Sequence, residues 1–250
     1  MFGIKQANAS IFGGALLFFL IFTHYIELPF FYRYDYILFF ALLFQAFLII
    51  FKLESKKEIF IVFAFHLIAM AMELFKTSEA IGSWKYPGEA FFIIATVPLF
   101  TGFLYSAVGS YIVRAWKLFK LRFTHYPNLI ATTVVGIAIY ANFFTHHYFY
   151  DIRYIIFGLL ALLFWKTKVF FTVEEKERSM PLLLGFFLVA FFIWIAENTG
   201  TFTKVWLYPS QEFAWSLVSF NKIGSWFLLM IVSFILISLV QRKTLREKRD

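Results

Sequence analysis

The sequence predicts an all-α polytopic membrane protein, with eight transmembrane helices in two parallel four-helix pseudo-repeats. Three observations carry that class. The chain is 61% hydrophobic and only 15% charged, with a mean hydropathy of +0.76, whereas soluble chains carry about a quarter charged residues. It contains a series of apolar runs, each near the roughly 20 residues a bilayer-crossing helix needs. The unusual string Trp-x-Tyr-Pro occurs twice, as Trp84-Lys85-Tyr86-Pro87 and Trp206-Leu207-Tyr208-Pro209, at an offset of 122 in a chain of 250.

The apolar runs lie near 9–29, 34–52, 58–77, 90–113, 128–146, 150–168, 181–199 and 222–241. They are continuously apolar and do not alternate, which excludes strands of a membrane barrel. No small-residue cleavage site follows the first run, so it reads as a retained span and not a removed signal peptide. The sixth run is the least apolar and relies on Tyr154 and Trp165 to reach both interfaces. With the N-terminus inside, about three-quarters of the 23 Lys and Arg residues fall in cytoplasmic segments. Only Arg33, Lys76, Lys85, Arg153, Lys204 and Lys222 fall outside. Both termini are therefore expected in the cytoplasm.

The net charge of +8 then reflects topology and anionic lipid, and no nucleic-acid partner is expected. The basic tail 241–250 reads as a solvated anchor. The basic, amphipathic stretch 113–123 is expected to continue the fourth span along the inner surface. There are no cysteines, which excludes disulfides and thiolate ligands.

Other strings recur in step with Trp-x-Tyr-Pro. Phe22-Thr23-His24-Tyr25 matches Phe144-Thr145-His146-His147, and Glu73 matches Glu197. The spacing divides a single domain, 1–250, into halves 1–122 and 123–250. Four spans per half is an even number, so both halves insert the same way up, the parallel class of repeat.

An ionisable group within a span is costly and marks a functional candidate. Glu73 and Glu197, late in the third and seventh spans, form the best pair and are read as acid and base. His66 lies seven residues before Glu73, on the same helical face, and joins them as a catalytic candidate. Trp84, Tyr86, Trp206, Tyr208, Asn142, Asn198, His24 and His146 are the substrate-contact candidates, all at the outer ends of spans. Each has a plainer reading: a carboxylate paired with Lys76 or Lys204, an interfacial anchor for the Trp-x-Tyr-Pro strings, an amphipathic histidine. No H-x-x-x-H or E-x-x-H spacing occurs, so no metal site is assigned, and no cofactor is identified. Gly102, Ser106 and Gly109 in the fourth span have the small-residue spacing that permits close helix contact.

The strings "ELFKTSEAIGSWKYP", "PLFTGFLYSAVGSYIVRAW", "NFFTHHYFYDIRY", "FWKTKVFFTV" and "FFIWIAENTGTFTKVWLYP" together resemble the YoaT-like family of bacterial integral membrane proteins, domain of unknown function 817. The resemblance runs from about Glu73 onward. It implies a bacterial inner-membrane location and carries no established activity. Within it, Glu197 with "TGTFTKVWLYP" is similar to the Glu-Gly-Trp-x-Tyr pattern of membrane carotenoid cyclases and hydratases. That likeness implies a membrane acid that protonates a polyene.

Three classes of function follow. The first is a membrane enzyme acting on a lipid or isoprenoid at an outer-leaflet cleft, its partners being the bilayer and a hydrophobic small molecule. The second is a small-solute or ion-coupled transporter using the same carboxylates. The third is a membrane scaffold or accessory subunit in which the polar cup satisfies itself.

Overall fold

A computed structural model describes residues 1–240 and shows a mostly helical chain. Its helices are α1 (Phe2–Ala9), α2 (Ile11–Tyr25), α3 (Arg33–Ile50), α4 (Lys56–Lys76), α5 (Thr101–Leu118), α6 (Leu129–Thr145), α7 (Arg153–Phe164), α8 (Leu182–Phe202) and α9 (Asn221–Val240). The basic tail at 241–250 lies outside the described residues.

Among the described residues, four helices are long and apolar enough to cross a membrane: Arg33–Ile50, Ile59–Lys76, Leu182–Phe202 and Asn221–Leu239. The pair α1 and α2 makes a fifth if read as one span broken at Ser10. Helices α6 and α7 are apolar but shorter, and α5 is diluted by Ser, Gly and Tyr together with Arg114 and Lys117. Much of the apolar surface is not buried within the chain. Phe187, Leu188 and Phe192 on α8, Leu43 on α3 and Leu162 on α7 are all exposed.

Two expectations need correction. The chain is not purely α. Strands β1 (Ile93–Ile94) and β2 (Val97–Pro98) form a short antiparallel pair, and β3 (Arg122–Thr124), β4 (Lys168–Val173) and β5 (Lys176–Pro181) form an antiparallel sheet. The fourth apolar run therefore does not start a helix at 90. The chain first turns through Ala95 at φ +51°, and the helix begins at Thr101, after Pro98, whose missing N–H and fixed φ suit the end of a strand. Nor does the basic stretch 113–123 stay helical to its end: α5 stops at Leu118, and Arg122 enters β3. The β4–β5 hairpin turns through Glu174 and Glu175, both left-handed. That turn normally calls for Asn-Gly or Gly-Gly, so composition did not announce it.

The chain forms two compact units, to both of which α5 and α8 contribute residues. The first unit holds Met1–Ala9, Ile112–Trp194 and the described residues from 220 to 240. In it α6 packs on α7 and α9, with Gly136 placed close against Ile235. The Phe234 ring is a hub for Trp116, Phe123, Tyr126 and Phe186.

The second unit holds Ser10–Tyr111 and Ile195–Ser219. Its core is built from Phe12, Leu16 and Leu20 of α2, Tyr34, Ile37, Ala41 and Leu48 of α3, and Phe100 and Val205. The small-residue face of α5 lies on α4. The His66 ring lies against Gly102, Phe65 against Gly109, and Ser106 donates to the Val62 carbonyl at 2.8 Å. A residue larger than glycine at 102 would collide with the imidazole.

Candidate functional site

The repeated strings meet in the second unit. Lys85 and Leu207, the variable residues of the two Trp-x-Tyr-Pro strings, form an antiparallel β-bridge. Each donates its N–H to the other's carbonyl at 2.9 Å. The bridge cannot extend by a further rung, because Pro87 has no N–H to give. The Tyr34 hydroxyl fills that place: it accepts from Gly88 N at 3.1 Å and donates to the Val205 carbonyl at 2.7 Å. Gly88 must be glycine for this approach, since a Cβ there would stand 2.9 Å from the Tyr34 ring.

The residues flanking Tyr34 at the start of α3 complete the clamp. Arg33 donates to the Leu20 carbonyl at 2.8 Å and the Thr203 carbonyl at 2.6 Å, placing a cation at the C-terminal ends of α2 and α8. Buried Asp35 accepts from the Phe91 and Phe92 amides at 3.0 Å, fixing the segment after the first string.

Glu73, in the last turns of α4, is 2% exposed. Its carboxyl group accepts three hydrogen bonds: Trp84 Nε1 to Oε2 at 2.9 Å, Tyr86 Oη to Oε2 at 2.7 Å, and Tyr105 Oη to Oε1 at 2.6 Å. Two of these donors come from the first string and the third from α5. Its own backbone carbonyl accepts from Thr77 Oγ1, which also bonds Thr96 at the β1–β2 turn.

Glu197 on α8 is 3% exposed and accepts from the Tyr208 hydroxyl of the second string. The two carboxyl clusters adjoin, because the Trp84 and Tyr208 rings meet edge-on at 6.3 Å. Burial pushes the Tyr208 phenol well above its ordinary pKa, and the charge of Glu197 and then of Glu73 pushes it the same way. Burial likewise raises Tyr86, with Glu73 adding to it. Both phenols therefore stay protonated and act as donors over the physiological pH range.

The two strings are used differently. Trp84 donates to a glutamate, whereas the Trp206 ring lies over Gly200 and packs into the Leu20, Tyr34 and Phe100 cluster. Gln211 and Asn198 hold the segment beyond the second string. Gln211 accepts from Tyr208 N and donates to the Ser216 carbonyl at 2.6 Å, and Asn198 Oδ1 accepts from Val218 N at 2.9 Å.

The other sequence-predicted residues lie elsewhere. His66 is two turns from Glu73, roughly 10 Å along α4, with its ring on Gly102 and Phe103 and its buried Nδ1 without a hydrogen-bond partner. His24 packs against Tyr25 and Phe202. Asn142 of α6 and His146, the residue just past its end, lie in the first unit at the turn into α7. Asn142 donates to Asp151 and accepts from Ile152 N, and His146 Nδ1 bonds the Asn142 carbonyl at 2.7 Å. Among the described residues, no group of three or more His, Asp or Glu side chains is placed to hold a metal.

Sequence reasoning missed Tyr105, Arg33, Tyr34, Asp35 and Gly200. The charged pair at the start of a span, Arg33-Tyr34-Asp35, was the available signal, of which only Arg33 entered the charge count.

The model of a family described as a protein of unknown function, DUF817, matches residues 1–234. The chain is 43% identical over 237 residues to the "Uncharacterized protein YoaT" of Bacillus subtilis (strain 168), covering 95% of this chain and 89% of that protein. No solved structure matches it significantly. With a family match over nearly its full length and a relative of this identity, the chain belongs to the DUF817 family of proteins of unknown function.

Proposed function

We propose that this protein is a bacterial inner-membrane enzyme that uses Glu73 and Glu197 for acid–base chemistry on a lipid or isoprenoid. In this reading eight crossings form two parallel halves, both termini are cytoplasmic, and the site faces the outer leaflet. The exposed apolar faces of α3, α7 and α8 support a lipid surround. The observation that carries the chemistry is the mutual pairing of the two strings. It brings one glutamate and its donors from each half into a single cluster. A carboxyl group linked to tyrosine hydroxyls is suited to proton transfer, because a hydroxyl both donates and accepts.

The three donors on Glu73 also favour a second reading, a structural staple with no chemistry. Glutamine at 73 separates the two. Its carbonyl can accept from Trp84 and Tyr86 at the Oε2 position, and the Tyr105 hydroxyl can turn to accept from the new amide. The fold is thus kept while the ionisable group is lost. Glu73→Gln and Glu197→Gln are expected to accumulate in membranes like the wild type. Mass spectrometry of whole-cell lipid extracts should then match a deletion strain. Extracts indistinguishable from the wild type, with the deletion strain differing from it, would leave only the staple.

A further inference from the structure

A further buried carboxyl group lies in the same unit, near the other end of α4. Glu54 is 5% exposed, and the turn between α3 and α4 puts it there. Lys52 takes the left-handed conformation at φ +55°; Lys52 N bonds the Ile49 carbonyl, and Leu53 N and Glu54 N both bond the Leu48 carbonyl. This is a Schellman closure with lysine where glycine is usual. It folds Glu54 back beneath the last turns of α3 instead of releasing it to the surface. There its Oε2 accepts from Gln45 Nε2, and its Oε1 accepts from Ser110 Oγ at 2.7 Å.

Both donors are neutral, and among the described residues no Lys, Arg or His side chain pairs with Glu54. A buried, unpaired negative charge is costly. The same cluster holds an unused acceptor: Gln45 is 8% exposed, and its Oε1 has no hydrogen-bond partner. A half-turn of the amide exchanges Nε2 for Oε1 at the carboxylate. It would then present both Glu54 oxygens, Gln45 Oε1 and Ser110 Oγ, an all-oxygen set of the kind hard cations take.

We infer that Glu54, Gln45 and Ser110 form a binding site for a small monovalent cation. One carboxylate supplies one negative charge, so a single positive charge neutralises the site, whereas a divalent ion would leave a buried excess. The site lies roughly 26 Å along α4 from Glu73 and does not depend on the acid–base reading of that cluster.

The test is thermal unfolding of the detergent-purified full chain in NaCl, LiCl, KCl and choline chloride at constant ionic strength. The midpoint should rise saturably with one of the alkali cations relative to choline, by roughly 3–6 °C at ten times its Kd. That response should be lost in Glu54→Gln and shifted to higher concentration in Ser110→Ala. Equal midpoints in all four salts would overturn the inference. A response that survives in Glu54→Gln would overturn it as well. If Glu54→Gln does not yield folded protein, Gln45→Leu replaces it, with the same loss or weakening of the cation response required.

Discussion

Glu73→Ala is expected to be the most damaging single substitution in the second unit, costing about 3 kcal/mol or more of stability. Alanine removes the carboxyl oxygen that Trp84 Nε1 donates to and strips Tyr86 and Tyr105 of theirs. Each buried donor left without a partner costs about 1–3 kcal/mol, and the lost side-chain volume adds a cavity term. Against a total stability of about 5–15 kcal/mol this is a large fraction. Glu73→Gln keeps acceptors for most of these bonds and should lose far less. Chemical unfolding of both variants in detergent, read by far-UV circular dichroism, checks the pair. The expected order is wild type, then Gln, then Ala with a wide gap. Ala and Gln of equal stability would mean the three donors do not depend on Glu73.

Gly200→Ala follows with an opposite sign to the naive expectation. Gly200 lies within α8, where alanine would ordinarily stabilise a helix by about 1 kcal/mol. Here a Cβ would fall well inside contact distance of the Trp206 six-membered ring. Neither the helix backbone nor an indole wedged against Leu20, Tyr34 and Phe100 can yield cheaply, and such overpacking costs about 1–3 kcal/mol, sometimes more. Trp206 adjoins Leu207, so its displacement also strains the bridge to Lys85. The variant should unfold at a lower midpoint than the wild type. A midpoint equal to or above the wild type would show that the indole does not occupy this position.

The legible parts of the molecule were those written in local sequence. Continuous apolar runs marked the helices because burial and lipid make the same demand on composition. The Trp-x-Tyr-Pro strings and the two glutamates stood out because unusual residues recurred at nearly constant spacing, and the structure brings those residues together. The small face Gly102, Ser106 and Gly109 was also readable, since close helix approach needs small side chains at one-turn intervals.

What was not legible depends on where side chains point once the chain is folded. Tyr105 reaches Glu73 from a different helix, and nothing in its neighbourhood distinguishes it from the chain's other tyrosines. Arg33 entered only the count of outside charges, and Asp35 carried no signal until the loop amides it accepts from were in view. His146 matched the repeat by spacing and Asn142 lay at a similar depth, yet the structure places both at the α6–α7 turn. The β4–β5 hairpin was hidden because Glu174 and Glu175 occupy left-handed positions that composition assigns to glycine or asparagine.

The central claim is that the two copies of Trp-x-Tyr-Pro pair with each other through Lys85 and Leu207. Residues that exchange both backbone hydrogen bonds in an antiparallel pair have Cα atoms about 5.5 Å apart, within the range of about 4.4–6.8 Å that a disulfide spans. The chain has no cysteine, so Lys85→Cys with Leu207→Cys introduces the only thiols, and the exposed Lys85–Glu212 ion pair it removes is worth little. Under mild oxidation in membranes, the double variant should form an intramolecular disulfide in the monomer, mapped by mass spectrometry to positions 85 and 207. Two thiols that remain open to alkylation, or links found only between molecules, would contradict the pairing and with it the shared glutamate site.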